Sequence, residues 1–156
     1  MRAERREAAT ELRVEGRRLT GPALLFGETS PSHRERIEAG AFAFDNSVVF
    51  NLLHDPLQAL AWHPGGGLEL RQDDEALHLD ATLPPIPSGD LALQLVREGQ
   101  AKGLSVEFHA VEERREAGIR IVSKAALVGI GLVRRPSYPN SRVEAREARG
   151  RMHLWL

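Results

Sequence analysis

Apolar and polar residues alternate over short runs through most of the 156-residue chain, the period-two pattern of strands that bury one face. The runs ELRVEG, ALLFG, SVVFNLL, ALAWH, GLELR, ALHLDATL, GLSVEFHAV, GIRIVS and ALVGIGLV are separated by turn residues at short intervals. That spacing favours an antiparallel sandwich or barrel. GLELRQDDEALHLDATL reads as a hairpin, with Leu68 and Leu70 set against Leu77 and Leu79 across a charged tip at Asp73 and Asp74. VEERREAGIRIV reads as a second. Between them the prolines of LPPIPSGD end a strand, and Ser88 is placed to cap a helix over Leu91, Leu95 and Val96 that stops near Gly99. RERIEAGAF reads as a helical turn or loop that delivers Phe42 to the core.

One strand carries more than packing. In AKGLSVEFHA, residues Leu104, Val106, Phe108 and Ala110 share a core face, while Ser105, Glu107 and His109 share the other. The pattern alone leaves two readings open: the solvated side of an antiparallel sheet, or a row of chemical groups. A second polar group stands at His54, which closes the buried run VVFNLL just before Asp55-Pro56. It is either a strand-end histidine bonded to a turn or a rigidly held base. A serine hydroxyl is a weak nucleophile at neutral pH and needs such a base. Glycines at 129 and 131, inside the last strand, call for a bulge or a close backbone approach. The Arg134-Arg135 pair that follows reads as solvated, or as cationic support for an anionic intermediate.

Composition narrows the chemistry. With 42% hydrophobic residues the chain can bury one substantial core, which makes one domain the natural count. A net charge of −1 gives no field that would favour nucleic acid or an anionic membrane, and neither is expected as a partner. The absence of cysteine excludes disulfides, thiolate metal sites and a cysteine nucleophile. Of the six histidines, His33, His54, His63, His78, His109 and His153, none forms a metal-binding HExxH pattern. His54 and His63 are too widely spaced for one helical face, so neither a metal nor another cofactor is expected.

Residues 1–10 and 144–156 are rich in charge and alanine, or end in the isolated apolar MHLWL, and are expected to be mobile or processed arms around a domain at 11–143. No apolar run has the length of a secretory signal or a membrane span, and a cytosolic protein is expected.

Five of these pieces, in this order, resemble the prohead proteases of tailed bacteriophages, the capsid-maturation serine peptidases related to the herpesvirus assemblins. They are RERIEAGAF, VVFNLLHD, the GLELRQDDEALHLDATL hairpin, LVREGQAKGLSVEF and ALVGIGLVRRPSYPNS, which together span roughly residues 20 to 143. The resemblance implies an α+β, mostly β fold, a small antiparallel β-barrel flanked by a few helices as in the herpesvirus proteases. It implies His54 as base and Ser105 as nucleophile of an endopeptidase that cleaves scaffold or capsid-protein extensions, and itself, inside the assembling prohead in the host cytoplasm. Arg134 and Arg135 fall where the herpesvirus relatives place arginines beside the oxyanion. A homo-oligomer is a further expectation by analogy with those relatives. The chain departs from the phage pattern at one point. Most phage members of the family it resembles carry a glutamate in L-x-E-x-S-L-V as third member of the triad, and Gly129 stands in its place here. Glu107 and His109 are the nearest substitutes on the Ser105 face. The alternatives are a catalytically inactive relative that serves as scaffold or core component of the procapsid, and a plain β-barrel binding module.

Overall fold

A computed structural model describes residues 3–30, 32–44 and 47–134. Among these residues eleven strands form two sheets around a common core, with one α-helix packed against it. The larger sheet is organised by two long strands, β10 (Gly103–Glu116) and β11 (Ile119–Val133), which form one antiparallel hairpin. Its tip is a two-residue turn with Ala117 at φ 51° and Gly118 at φ 79°, the primed geometry that matches strand twist. The runs GIRIVS and ALVGIGLV are therefore one strand. Along its free edge β11 takes three short strands end to end, all parallel to it: β4 (Glu35–Ile37), β5 (Phe42–Ala43) and β6 (Val48–Leu52). β7 (Ala59–His63) extends the sheet beyond β6, and β1 (Glu4–Ala9) extends it on the other side beyond β10, giving the order β1-β10-β11-β6-β7. The smaller sheet has the order β2-β3-β9-β8, from β2 (Arg13–Glu15), β3 (Arg18–Leu25), β8 (Leu68–Gln72) and β9 (Ala76–Thr82). The expected Leu68–Leu79 hairpin is β8–β9, with Leu70 opposite Leu79 and Asp73 at its tip accepting from the Glu75 and Ala76 amides.

The mostly β fold with a helix agrees with the expectation, but two parts of it are corrected. The strands form two sheets and close no barrel among the described residues, and the larger sheet is mixed because β4, β5 and β6 run parallel to β11. Among the described residues there is one α-helix, α1 (Pro87–Arg97), plus a 3₁₀ turn at Pro56–Gln58, where the resemblance implied a few helices. α1 begins one residue before Ser88. Pro87 occupies its first turn, where a fixed φ and missing amide cost nothing, and Ile86 stands at the cap without a side-chain bond. Ala92, Leu93 and Leu95 face the core.

The core joins both sheets. Leu104, Val106 and Phe108 of β10, Ile130 and Leu132 of β11, and Val48, Phe50 and Leu52 of β6 point inward with Leu77, Leu79 and Ala81 of β9. Phe42 packs edge-on against Phe108 at 5.8 Å and on Phe26 at 6.1 Å, so RERIEAGAF does deliver its aromatic to the core. It does so from strands, not from a helical turn.

The N-terminal segment is also corrected: residues 4–9, expected to be a mobile arm, are strand β1, paired residue by residue with β10 from Glu4 opposite Phe108 to Ala9 opposite Gly103. Its inward positions are Arg6 and Ala8. The Arg6 guanidinium lies 5.7 Å from the centre of the Phe108 ring and donates to both oxygens of Glu35, which is 2% exposed. Arg120 and Glu4 complete this network. A buried, fully bonded ion pair thus takes a position where the pattern calls for an apolar residue. The expected C-terminal arm, 144–156, lies outside the described residues, as does His153.

Candidate active site

The outer face of the larger sheet can be read as two rows of side chains across its strands. Residues paired in a ladder project to the same face. One row runs Glu7 on β1, Ser105 on β10, Gly131 on β11 and Asn51 on β6. The next runs Arg5, Glu107, Gly129, Val49 and Trp62, from β1 to β7. The alternation of β10 that buries Leu104, Val106 and Phe108 in the core is what sets Ser105 and Glu107 on this face.

His54 reaches the first row from the end of β6. Leu53 and His54 both adopt left-handed backbone, at φ 57° and 58°, and the Asp55 amide bonds the Leu52 carbonyl at 3.0 Å to close the turn. The Leu53 amide ties the turn to Leu132 of β11 at 2.9 Å. Asp55 then caps the following 3₁₀ turn by accepting from the Leu57 amide at 2.9 Å. Left-handed backbone costs an L-residue about 1–2 kcal/mol, and such strain collects where a side chain must be held in a particular place. Here it turns the imidazole back over the sheet. A Cβ on Gly131 would stand 2.8 Å from His54 Nε2 and 2.9 Å from both Cδ2 and Cε1, so the Nε2 end of the ring rests on the glycine backbone. The close approach anticipated from the strand glycines is this contact.

Ser105 is directly across the ladder from Gly131, and opposed Cβ positions are about 4.5–5.5 Å apart. The structure therefore brings Ser105 and His54 to adjacent positions on one face. Ser105 is fully buried, and neither its Oγ nor His54 Nε2 has a hydrogen-bond partner among the described residues. An unsatisfied buried hydroxyl and an unsatisfied imidazole nitrogen are costly, and they cluster where chemistry uses them. Burial pushes the His54 pKa below its ordinary value and the Arg5 guanidinium pushes the same way, while Glu107 and Glu7 pull it back up. A neutral imidazole at neutral pH is the form that can take a proton from a serine hydroxyl.

The other candidates fall as follows. Glu107 stays in the neighbouring row and its carboxylate accepts from Arg5 Nε at 2.6 Å, close enough to His54 to act through its charge. Gly129 lies directly opposite Glu107, so the position where the resemblance led to the expectation of an acid and the position of this chain's acid face each other across the ladder. His109 is on the same face opposite Ala126, four residues from Ser105, which at about 3.3 Å per residue is about 13 Å away. The structure does not bring it to the Ser105–His54 pair. Arg134 is exposed just beyond β11, and Arg135 lies outside the described residues. Sequence reasoning missed Arg5 and Glu7. The one available signal was the alternation of charge in ERREAA, with Arg6 as its inward residue.

A family model of the caudovirus prohead serine proteases matches residues 4–154. The chain belongs to this family. The solved structure of the capsid assembly protease of bacteriophage T4 has a similar fold, with a TM-score of 0.53 at 15% sequence identity, over 84% of this chain and 96% of that one. No curated protein sequence matches the chain. The match begins at Glu4, so the family model includes β1, the strand that carries Arg5 and Glu7 to the site.

Proposed function

We propose that this prohead protease is an active serine endopeptidase in which Ser105 attacks the scissile carbonyl and His54 takes the hydroxyl proton and returns it to the leaving amine. The observation that carries the reading is the seating of the His54 ring on Gly131, beside a buried Ser105 with a free hydroxyl. Glu107 serves as the carboxylate that stabilises the imidazolium, from across the ladder, in place of the acid absent at Gly129. Backbone N–H groups around Arg134 and Arg135 hold the oxyanion in this reading. The substrates are scaffold or capsid-protein extensions, and the chain itself, within the assembling head in the host cell.

The test is a fluorophosphonate probe followed by mass spectrometry. Labelling of the wild type at Ser105, its loss in Ser105→Ala and strong slowing in His54→Ala are expected, together with cleavage of capsid-protein extensions by the wild type only. Absence of labelling and cleavage would favour a second reading, an inactive relative that serves as a scaffold component. Gly129 in place of the acid and the missing bond between Ser105 Oγ and His54 Nε2 are what support that alternative.

A further inference from the structure

Four buried side-chain atoms among the described residues have no hydrogen-bond partner, and three of them belong to one row of the outer face: Ser105 Oγ, His54 Nε2 and Asn51 Oδ1. The mechanism above uses the first two and leaves the third without a task. Asn51 is on β6, paired with Gly131 of β11 on one side and with Ala59 of β7 on the other. The first of these neighbours has no side chain and the second has only a methyl. Along the chain, Val49 and Leu53, two residues away in either direction, are apolar. No side chain that the ladder sets beside Asn51 can therefore donate to its Oδ1. The polar group at hand is the His54 imidazole, whose Nε2 end rests over Gly131, between Asn51 and Ser105.

We propose that Asn51 is the positioning residue of the base: its Oδ1 accepts a hydrogen bond from His54 Nδ1–H, which fixes the tautomer whose bare Nε2 takes the Ser105 hydroxyl proton. This deepens the endopeptidase reading and rests on it. The direction follows from the backbone. The ring is rooted at the end of β6 and reaches β11 with its Nε2 end, so Cγ, and Nδ1 bonded to it, trail back toward the strand that carries Asn51. The span fits as well. Strands are about 4.8 Å apart, so Asn51 and Ser105 are about 10 Å apart across Gly131. Two short side chains with an imidazole between them and a hydrogen bond of about 2.9 Å at each end bridge such a gap. A neutral imidazole has one N–H and one lone pair. With Nδ1–H on Asn51 Oδ1 and the Ser105 O–H on Nε2, one setting of the ring gives all three orphan atoms a partner, and each is costly to leave buried without one. The structure holds the ring one adjustment short of this, with its Nε2 end on the glycine. An amide oxygen can orient an imidazole in a catalytic triad. Being neutral, it leaves the charge of the ring to Glu107 and Glu7, which act on His54 electrostatically. Neither carboxylate is placed for the part of Asn51, because Glu7 lies beyond Ser105 in the row and Glu107 is bonded to Arg5 in the next one.

The test combines kinetics with NMR of the histidine ring. Asn51→Leu keeps the bulk of the side chain and removes the acceptor. It is expected to lower kcat and the rate of fluorophosphonate labelling of Ser105 by about tenfold or more, with KM within about twofold, where losing the orienting acid of a serine-protease triad costs up to about 10⁴-fold. Asn51→Asp restores an acceptor and is expected to match or exceed wild-type turnover, which separates loss of the hydrogen bond from damage to the fold. In histidine-labelled protein the His54 ring signals, assigned by their absence in His54→Gln, are expected to report the Nδ1–H tautomer in the wild type and to shift toward Nε2–H in Asn51→Leu. Wild-type turnover in Asn51→Leu, or a tautomer that this substitution leaves unchanged, overturns the assignment and leaves the Ser105–His54 pair intact. Equal losses in Asn51→Leu and Asn51→Asp overturn it as well, by showing that packing alone is at work. A wild type that neither labels nor cleaves removes the protease reading and with it the role of Asn51 in catalysis.

Discussion

Replacing Gly131 by alanine is the sharpest test of where the base works. The new methyl carbon would stand 2.8–2.9 Å from three atoms of the His54 ring, whereas carbon contacts relax to about 3.5 Å. The imidazole must then retreat by about 0.6–0.7 Å. Since Nε2, Cδ2 and Cε1 are approached together, the ring has to translate, because rotation about its own axis leaves one of the three in collision. A displacement of this order in a reacting group costs up to about 100-fold in rate, roughly 2.7 kcal/mol of barrier. Folding should change little, because the group that must move is the end of one half-buried side chain on a turn, and the three atoms nearest the added methyl all belong to it. Gly131→Ala is therefore expected to lower kcat by about 10- to 100-fold, to slow fluorophosphonate labelling of Ser105 in parallel, and to shift the urea midpoint by the equivalent of less than about 1 kcal/mol. Gly129→Ala is the control. Its methyl meets only the Val49 carbonyl, at 3.2 Å, and its effect on labelling should be small. Wild-type labelling and turnover in Gly131→Ala, with the fold intact, would show that His54 does not act from its place on the glycine.

Four further outcomes are expected. The imidazole must be neutral to accept a proton, and burial with Arg5 lowers its pKa, so the acid limb of the kcat/KM profile should lie below that of ordinary histidine; Arg5→Gln removes a depressing charge and should move the limb to higher pH, and an unmoved limb in Arg5→Gln would refute the coupling. For the same reason His54 in the unfolded chain protonates first as pH falls below about 6.5, so the stability that the neutral, buried ring contributes should be lost on acidification through that interval. Glu107→Gln should lower kcat about tenfold or more with little change in KM, and Gly129→Glu should restore activity best in that background, because in the wild type it would place two carboxylates directly opposite each other; wild-type kcat in Glu107→Gln would assign stabilisation of the imidazolium to another group, with Glu7→Gln the next variant to assay. Glu35→Gln, which leaves buried Arg6 and half-buried Arg120 with Glu4 as their remaining shared anion, should cost up to about 3–5 kcal/mol in urea denaturation, and an unchanged midpoint would show that the network does not hold β1 in place.

What the pattern of residues made legible, and what it did not, divides along a physical line. Local alternation is enough to assign AKGLSVEFHA its two faces, GLELRQDDEALHLDATL its hairpin and VVFNLLHD its buried strand, because each depends on neighbours a few positions away. Register between distant strands has no such local record. Ser105 and His54 meet only because β10 pairs with β11 so that Gly131 lies opposite Ser105, while β6 pairs with β11 so that its end turns over that same glycine. The glycine at 131 was the one local sign of this meeting, since a strand often gives up a side chain where something else needs the space. The N-terminal segment was misread for a related reason. A strand position filled by arginine looks solvated until a buried partner appears, and Glu35 is close to Arg6 only through the parallel pairing of β4 with β11. The same misreading concealed the electrostatics of the site, because β1 is what carries Arg5 and Glu7 onto the outer face, opposite Glu107 and Ser105 respectively. A carboxylate in the row of the serine and an ion pair in the next row surround an imidazole that burial keeps neutral. Any imidazolium formed during turnover would then draw its stabilisation from Glu7 and Glu107 against the opposing charge of Arg5. The Arg5–Glu107 contact thus moderates the Glu107 charge that the ring receives, so that, after burial, part of the electrostatics of His54 comes from the strand that composition alone marks as an arm.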